Sequence, residues 1–256
     1  MSSVFFDMGP FFAVLAVAIT LLAGFVKGAV GFALPMIMIS GLGSFLPPEA
    51  ALAALILPTV AANLWQALRN GLAAAVASIR RFWLFITLVL IFIVGSAQLV
   101  RILPSWSLFL ILGVPVSAFA VLQLAGWRLH LAPERRRRAE IVFGAVAGFV
   151  GGLSGVWGPP TVTFLTAIDT PKTEHVRVQG VVYGAGAVML FAAHLQSGVL
   201  STATLPLSIA MVVPALIGMA LGFLVHDRLD QEKFRRATLL VLVIAGLNLI
   251  RRGLMG

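Results

Sequence analysis

Lys27 is the one charged residue within the hydrophobic runs of this sequence, and it directly precedes a glycine-rich stretch. In that stretch Gly28, Gly31 and Pro35 follow the spacing G-x-x-G-x-x-x-P. A cation inside lipid is costly, so such a residue is by default a candidate functional group, here one that would contact an anion. The alternative is that the long aliphatic stem of Lys27 lets its ammonium group reach a polar surface.

The same spacing recurs 124 residues later, where Gly152, Gly155 and Pro159 lie in "GLSGVWGP". Glycine is common just past a helix end and proline in a helix's first turn, so each motif predicts one helix ending and another beginning. Within a membrane such a break must be surrounded by protein or face a cavity. Its free N–H groups and helix dipole favour an anion. The glycines have a second interpretation, which is close packing of helices.

Other polar and aromatic residues near the motifs are candidate substrate contacts. Ser154 has a hydroxyl for an oxyanion, although it is equally suited to bonding a carbonyl of its own turn. Trp157 is a candidate wall of the site or a packing residue. Two pairs of neutral donors lie one turn apart in corresponding segments: Asn63 with Gln66, and Gln179 with Tyr183. Each pair suits either substrate binding or hydrogen bonding between helices.

Titratable groups that could couple transport to protons lie at loop edges (Glu49, Asp169, Glu174 and His175) and near the end of the sixth segment (His194). Caps and turns explain them as well. The sequence therefore leaves the coupling ion open between a proton and sodium.

A membrane-embedded lipid-phosphate enzyme with re-entrant hairpins is the alternative function. Such chemistry needs acidic and arginine side chains at the hairpin tips. Here the tips read "KGAVGF" and "GGLSGVWG", without carboxylate, Arg or His. No H-E-x-x-H or comparable ligand cluster lies in any hydrophobic run either. We therefore expect no catalytic residue, no metal and no cofactor.

The composition predicts an all-α integral membrane protein. Of the 256 residues 60% are hydrophobic and 11% charged, and the mean hydropathy is +1.06. Uncharged runs long enough for helices predict eight hydrophobic segments, with "HLQSGVLSTATLP" as the turn inside the long run 178–225. The absence of cysteine excludes disulfides and iron–sulfur clusters. The net charge is +9, and its densest basic run, "PERRRR", indicates a cytoplasmic loop rather than a nucleic-acid site.

The repeated motif predicts two membrane repeats, 1–127 and 141–256, joined by the basic loop 128–140. If all eight segments cross, Lys and Arg divide ten to seven between the two sides. If 11–42 and 141–168 are instead re-entrant hairpins, the division is fourteen to three, which fits the positive-inside rule better. Each half then has three crossings, so the halves are inverted and both termini face outward. The first helix, taken as residues 11–26, spans only about 24 Å, shorter than a ~30 Å hydrocarbon core.

The duplicated stretches "FVKGAVGFALP" and "FVGGLSGVWGPP", within eight hydrophobic segments, resemble the TauE/SafE family of sulfite exporters and related permeases. The resemblance implies a secondary carrier for small sulfur-containing anions, such as sulfite or organosulfonates, in the bacterial inner membrane. It implies a small anionic substrate and the lipid bilayer as partners, and no nucleic acid. Trp157 and Lys27 depart from the family pattern. Neither the direction of transport nor a homo-oligomer follows from these residues.

Overall fold

The computed structural model describes residues 8–68, 71–127, 131–225 and 231–255, and the regular structure in these ranges is helical throughout. Eleven α-helices occur in them: α1 Gly9–Val30, α2 Leu34–Leu42, α3 Pro48–Leu68, α4 Leu72–Arg81, α5 Trp83–Ala97, α6 Ser105–Leu124, α7 Arg136–Ser154, α8 Gly158–Ala167, α9 Lys172–Ser197, α10 Leu205–Val225 and α11 Gln231–Met255. Short 3-10 turns follow α5 and precede α7. The expected all-α class is confirmed.

Six helical stretches within the described residues are long and apolar enough to cross a membrane: Gly9–Ala29, Pro48–Leu68, Trp83–Arg101, Ser105–Leu124, Arg177–Ser197 and Leu205–Leu224. Large apolar side chains also point outward from the bundle, among them Val213 and Ile244. A surface of this kind is stable against lipid and unfavourable in water. The chain is therefore a multi-pass membrane protein, while the total of eight segments stays a prediction.

The first hydrophobic segment folds back on itself. Gly41, near the end of α2, lies against the Ile19 side chain in the middle of α1. Beyond α2, the Phe45 ring stacks on Phe12 at the start of α1, with the ring centroids 5.3 Å apart. Helices α1 and α2 thus form a hairpin, which we call hairpin 1. Its first arm has 22 residues, so the expectation of a short first helix was wrong.

The fifth hydrophobic segment forms a second hairpin from α7 and α8, hairpin 2. The backbone N–H of Leu131, before α7, donates to the carbonyl of Ala167 at the end of α8, at 3.0 Å. Phe143 on α7 and Phe164 on α8 lie with ring centroids 6.2 Å apart. The chain therefore leaves hairpin 2 at the end of the bundle where it entered.

Polar contacts define one end of the bundle, which we call the basic end. Arg81 Nη1 lies 2.6 Å from Glu174 Oε1, and Arg177 Nε donates to Ser78 Oγ at 3.1 Å. The start of α7 is at this end too, because the Arg136 guanidinium lies 5.8 Å from the centroid of the Phe82 ring, which directly follows α4. Arg69, Arg128 and Arg228, which entered the charge counts, lie outside the described residues.

The opposite end, the terminal end, holds the start of α1 and the end of α11. There Arg252 donates to the carbonyl oxygens of Gly43 and Leu46 and packs over the Phe109 ring. Arg101 Nη1 donates to the Ser197 carbonyl at 3.3 Å. The connection after hairpin 1 and the connection between α5 and α6 therefore meet at this end.

Helices from the two halves of the sequence interleave. Helix α1 packs on α10, and α7 packs on α5. Helix α3 packs on α9, and α6 packs on α11. Small residues permit the close crossings, since a methyl group added at Gly24 or Gly218 would collide with backbone of the facing helix.

Candidate functional site

The first helix break lies at the tip of hairpin 1. Helix α1 ends at Val30, and the N–H of Gly31, in the left-handed region with φ 84°, donates to the Lys27 carbonyl at 2.7 Å. Ala33 is also left-handed, with φ 78°, which is unusual for a residue with a Cβ. Helix α2 then begins with Pro35 in its first turn. A strained conformation of this kind is characteristic of functional sites.

The second break, at the tip of hairpin 2, repeats the left-handed glycine and the early proline, but Trp157, the counterpart of Ala33, is right-handed with φ −94°. Helix α7 ends at Ser154, and Gly155, with φ 70°, donates its N–H to the Gly151 carbonyl at 2.7 Å. Helix α8 begins at Gly158, with Pro159 in its first turn. The helix end and restart expected from each motif are thus present at both positions.

Lys27 is buried, with 2% of its surface exposed, and its ammonium group is held by neutral amides. Its Nζ donates to Asn63 Oδ1 at 2.6 Å and to Gln66 Oε1 at 2.8 Å. Neither acceptor is a carboxylate, so these contacts solvate the positive charge without neutralising it. An anion is the ligand that would complete such a site.

Tyr183 connects this cation to hairpin 2. Its ring centroid lies 5.8 Å from Lys27 Nζ, and its carbonyl accepts a hydrogen bond from Asn63 Nδ2 at 3.3 Å. The Tyr183 hydroxyl donates to the Gly158 carbonyl at 3.5 Å, a long bond. The two hairpin tips therefore meet across α3 and α9.

A cavity of about 20 Å³ lies between the tips. Its walls are Lys27, Phe32, Ala33, Pro35, Met36, Asn63, Val156, Trp157, Gly158 and Tyr183. Such a volume holds about one water molecule. A substrate larger than water therefore requires the surrounding helices to move apart.

Three predicted site residues have other roles in the structure. A Cβ on Gly28 would lie 2.2 Å from the Met219 carbonyl oxygen, and one on Gly152 would lie 2.1 Å from Ser96 Oγ. Both glycines therefore allow helices to pack closely. The Ser154 hydroxyl donates to the Val150 carbonyl at 2.6 Å and accepts from the Val156 N–H at 3.0 Å, so its one proton is used within its own turn.

The remaining predicted residues divide between the cavity and its surroundings. Pro35, Asn63, Trp157 and Tyr183 line the cavity together with Lys27, and Gln66 reaches it through the Lys27 ammonium. Gly31 and Gly155 shape the two turns. Gln179, one turn before Tyr183, is buried but does not line the cavity. Pro159 lies in the first turn of α8 and does not line the cavity either.

The two breaks differ in the amides that they offer. Proline has no N–H, and α8 has Pro159 and Pro160 in succession, so Gly158 carries the only N–H of its first three positions. In α2, Leu34 and Met36 both carry an N–H beside Pro35. Hairpin 1 therefore contributes more of the amide donors as well as the cation.

The titratable candidates lie away from the cavity. Glu174 pairs with Arg81 at the basic end. His194, near the end of α9 as expected, is buried, with Nε2 2.9 Å from the Gly152 carbonyl and Nδ1 3.0 Å from Ser197 Oγ. A carbonyl only accepts, so Nε2 carries the proton, and His194 links α9 to hairpin 2.

Sequence reasoning missed Phe32, Ala33, Met36, Val156 and Gly158 as cavity residues. All five lie within three residues of Gly31, Pro35 or Gly155, and proximity to the predicted breaks was the available signal. Their side chains or backbone enclose the cation in a largely apolar wall.

Comparison with known proteins gives one family match. The family described as "Sulfite exporter TauE/SafE" matches residues 16–249. The chain belongs to this family. The match includes both hairpin tips, all the cavity residues and nearly the whole chain. No curated protein and no solved structure matches the chain.

Membership of the TauE/SafE family confirms the expected class of function, a membrane transporter of the sulfite-exporter type rather than an enzyme. The alternative, a lipid-phosphate enzyme, has no support from the cavity, whose lining residues include no carboxylate, arginine or histidine. The division into repeats 1–127 and 141–256 with a basic loop 128–140 stays a prediction.

Proposed function

We propose that the protein is a secondary transporter of small sulfur-containing anions, such as sulfite or organosulfonates, that bind between the two hairpin tips near the membrane midplane. The observation that carries the proposal is the buried Lys27 ammonium, which faces the cavity and whose hydrogen-bond acceptors among the described residues are the neutral amides of Asn63 and Gln66. Lys27 supplies the charge, Asn63 and Gln66 orient it, and the amides at the start of α2 add donors.

In the proposed membrane topology, hairpins 1 and 2 are re-entrant and the basic end is cytoplasmic. If every segment crossed the membrane, Arg81 and Glu174 would lie on opposite sides, and their 2.6 Å contact argues against that arrangement. The re-entrant arrangement also places fourteen of the Lys and Arg residues on the cytoplasmic side and three outside. The loop 128–140 is then cytoplasmic in a bacterial inner membrane, with both termini on the periplasmic side.

The helix pairs support two inverted repeats. The 124-residue offset relates α1 to α7 and α5 to α10, so the contact of α1 with α10 is equivalent to the contact of α7 with α5. The same offset relates α3 to α9 and α6 to α11, so each of these two contacts joins a helix to its own counterpart in the other half. A hairpin followed by three crossings in each half reverses the second half relative to the first. Inverted repeats of this kind underlie alternating access in many carriers, with the substrate at their interface.

Alternating access is the proposed mechanism because the cavity is too small for a sulfur oxyanion and is closed by both tips. Movement of either tip relative to α3 and α9 would enlarge it from one side. Lys27 of hairpin 1 is held by side-chain amides on α3, and the Tyr183 hydroxyl on α9 contacts hairpin 2. Binding of an anion between them would therefore change contacts to both tips. The coupling ion, a proton or sodium, stays a prediction from the sequence.

Flux of sulfite, sulfate, thiosulfate and methanesulfonate into proteoliposomes tests the function. We expect saturable transport of at least one of them and stabilisation of the detergent-solubilised protein by the same anion. If none is transported or raises the melting temperature, while a lipid phosphate does, the proposal is overturned. Protein-free vesicles and a Lys27→Met variant serve as controls for leakage and for the site.

A further inference from the structure

Helix α4 joins two membrane-spanning helices, α3 and α5, at the basic end and is itself too short to cross a membrane. Its 10 residues extend about 15 Å, roughly half of a ~30 Å hydrocarbon core. Gly71, with φ 85°, separates it from α3. Phe82, with φ −113° and ψ 27°, leaves the helical conformation and separates it from α5. Helix α4 is therefore a separate short element at the membrane surface, between two crossings.

One face of α4 packs on the start of α9. Ser78 is buried, and its Oγ accepts a hydrogen bond from Arg177 Nε at 3.1 Å. Ala75, one turn earlier, is buried too. Arg81 Nη1, at the end of α4, lies 2.6 Å from Glu174 Oε1. These contacts fix the rotation of α4 about its own axis, so the directions of its other faces follow.

A second face of α4 is apolar and exposed. The exposed fractions of Leu72, Val76 and Ile79 are 69%, 39% and 45%. Their spacing of four and then three residues places them on one side of the helix. Trp83, at the start of α5, is 59% exposed, and tryptophan is enriched where a membrane meets water. This side of α4 suits the boundary between lipid headgroups and acyl chains.

A third face of α4 carries Arg80 and small residues. Ala77 follows Val76, and Arg80 follows Ile79, so each is turned about 100° around the helix from the apolar face, on the side opposite the buried face. Both Ala77 and Arg80 are exposed. This order of faces directs the apolar side toward lipid and the side with Ala77 toward water.

Positive charge exceeds negative charge around the end of α4. Arg81, and Arg136 from the start of α7, both lie over the Phe82 ring, with their guanidinium carbons 5.6 and 5.8 Å from its centroid. In the part of the chain that the structure describes, Glu174 is the one carboxylate that pairs with an arginine. Arg80 has no ion pair with any described residue. The cluster can therefore bind further negative charge.

We propose that α4 is an interfacial helix that binds anionic phospholipids of the leaflet at the basic end. Leu72, Val76 and Ile79 lie among the upper parts of the acyl chains, and Arg80 lies at the lipid phosphates. An apolar face beside a basic one is typical of helices in the membrane interface, where attraction to anionic lipids adds to apolar burial. One arginine at such a surface favours anionic lipid about fivefold. This assignment does not depend on the transported substrate.

The orientation of α4 is tested first. The chain has no cysteine, so single cysteines can be labelled without background. Nitroxide labels on Val76→Cys and Ala77→Cys are compared in proteoliposomes by their collisions with oxygen, which concentrates in lipid, and with a water-soluble nickel chelate. We expect the label at position 76 to favour oxygen and the label at position 77 to favour the chelate. Preference for the same reagent at both positions overturns the proposal, and so does protection of position 76 from both reagents, which would show that protein covers this face.

The preference for anionic lipid is tested with a fluorophore on Val76→Cys and with lipids brominated on their acyl chains, which quench it on contact. At equal mole fraction, phosphatidylglycerol should quench more than phosphatidylcholine. Adding Arg80→Gln should lower this preference about fivefold, and adding Arg80→Lys should retain it. The matched control is Arg251→Gln, an exposed arginine at the terminal end, which should leave the preference unchanged.

Equal quenching by the two lipids overturns the proposal, and so does an unchanged preference in the Arg80→Gln protein. A loss of the same size in the Arg251→Gln protein would show a general effect of net charge and would overturn it as well. Equal melting temperatures verify that the compared proteins are folded. If Val76→Cys does not fold, Leu72→Cys on the same face takes its place in both experiments.

Discussion

Replacing Lys27 by methionine removes the positive charge from the cavity and keeps a flexible side chain of similar length. The ammonium now donates to Asn63 Oδ1 at 2.6 Å and to Gln66 Oε1 at 2.8 Å, and both acceptors lose their donor in the variant. The same change removes the cost of burying an ammonium group without a carboxylate partner. Since these two effects oppose each other, we expect little change in the melting temperature of the protein.

Transport is expected to change much more than stability. An ammonium group has three N–H donors, and the two amides use two of them, so one stays available for an anion. A hydrogen bond to a charged group contributes about 1.5–3 kcal/mol. Since 1.4 kcal/mol is a factor of about ten, transport at low substrate concentration should fall roughly 10- to 150-fold.

The assay is initial flux of sulfite and methanesulfonate into proteoliposomes that contain equal amounts of wild-type and variant protein. Arg251→Gln is the matched control, because Arg251 is an exposed cation at the terminal end that bonds Asn248. It should transport at the wild-type rate. A Lys27→Met protein that transports as fast as wild type would refute the role of the ammonium. A variant that loses transport only because it fails to fold would show that Lys27 is structural.

Three further predictions concern the tips and the topology. Gly155→Val should abolish transport, because residue 155 has φ 70° and a Cβ there would lie 2.7 Å from Leu55 Cδ1. The control Gly95→Ala, whose added Cβ meets no atom within 4 Å, should transport normally. An active Gly155→Val protein would contradict a constrained tip. Trp157→Ala should lower the free energy of unfolding by about 3–5 kcal/mol because the ring is buried, and an unchanged denaturation midpoint would contradict this packing. The chain has no cysteine, so a membrane-impermeant thiol reagent added outside intact cells should label Ser105→Cys and not Arg137→Cys; equal labelling of both would contradict the proposed topology.

The helix breaks were predictable because their signals are local. A left-handed glycine after a helix and a proline in the next first turn depend on a few neighbouring residues, so Gly31 and Gly155 could be placed without tertiary information. Lys27 was predictable for a similar reason, since a charge in an apolar run is visible in one dimension. Its partners Asn63 and Gln66 were predictable as polar residues in an apolar helix, although the sequence did not connect them to Lys27.

The glycines of the motifs could not be assigned from sequence alone. Gly28 and Gly152 have the same spacing relative to Gly31 and Gly155, yet they face α10 and α5 respectively rather than the cavity. A glycine that lines a cavity and a glycine that permits a helix crossing have the same local signal. Only the position of the neighbouring helix separates them, and that position depends on contacts between the two halves of the chain.

The two tips share a left-handed glycine and an early proline, and they exchange the sizes of two side chains. The 124-residue offset pairs Lys27 with Gly151 and Ala33 with Trp157. In hairpin 2 the Trp157 ring covers Gly151, where an added Cβ would lie 2.9 Å from Trp157 Cε3, so no larger side chain fits there. In hairpin 1 the counterpart of Trp157 is the small Ala33, and the counterpart of Gly151 is the buried Lys27. One tip therefore carries a cation and the other an aromatic side chain, and both line the same cavity.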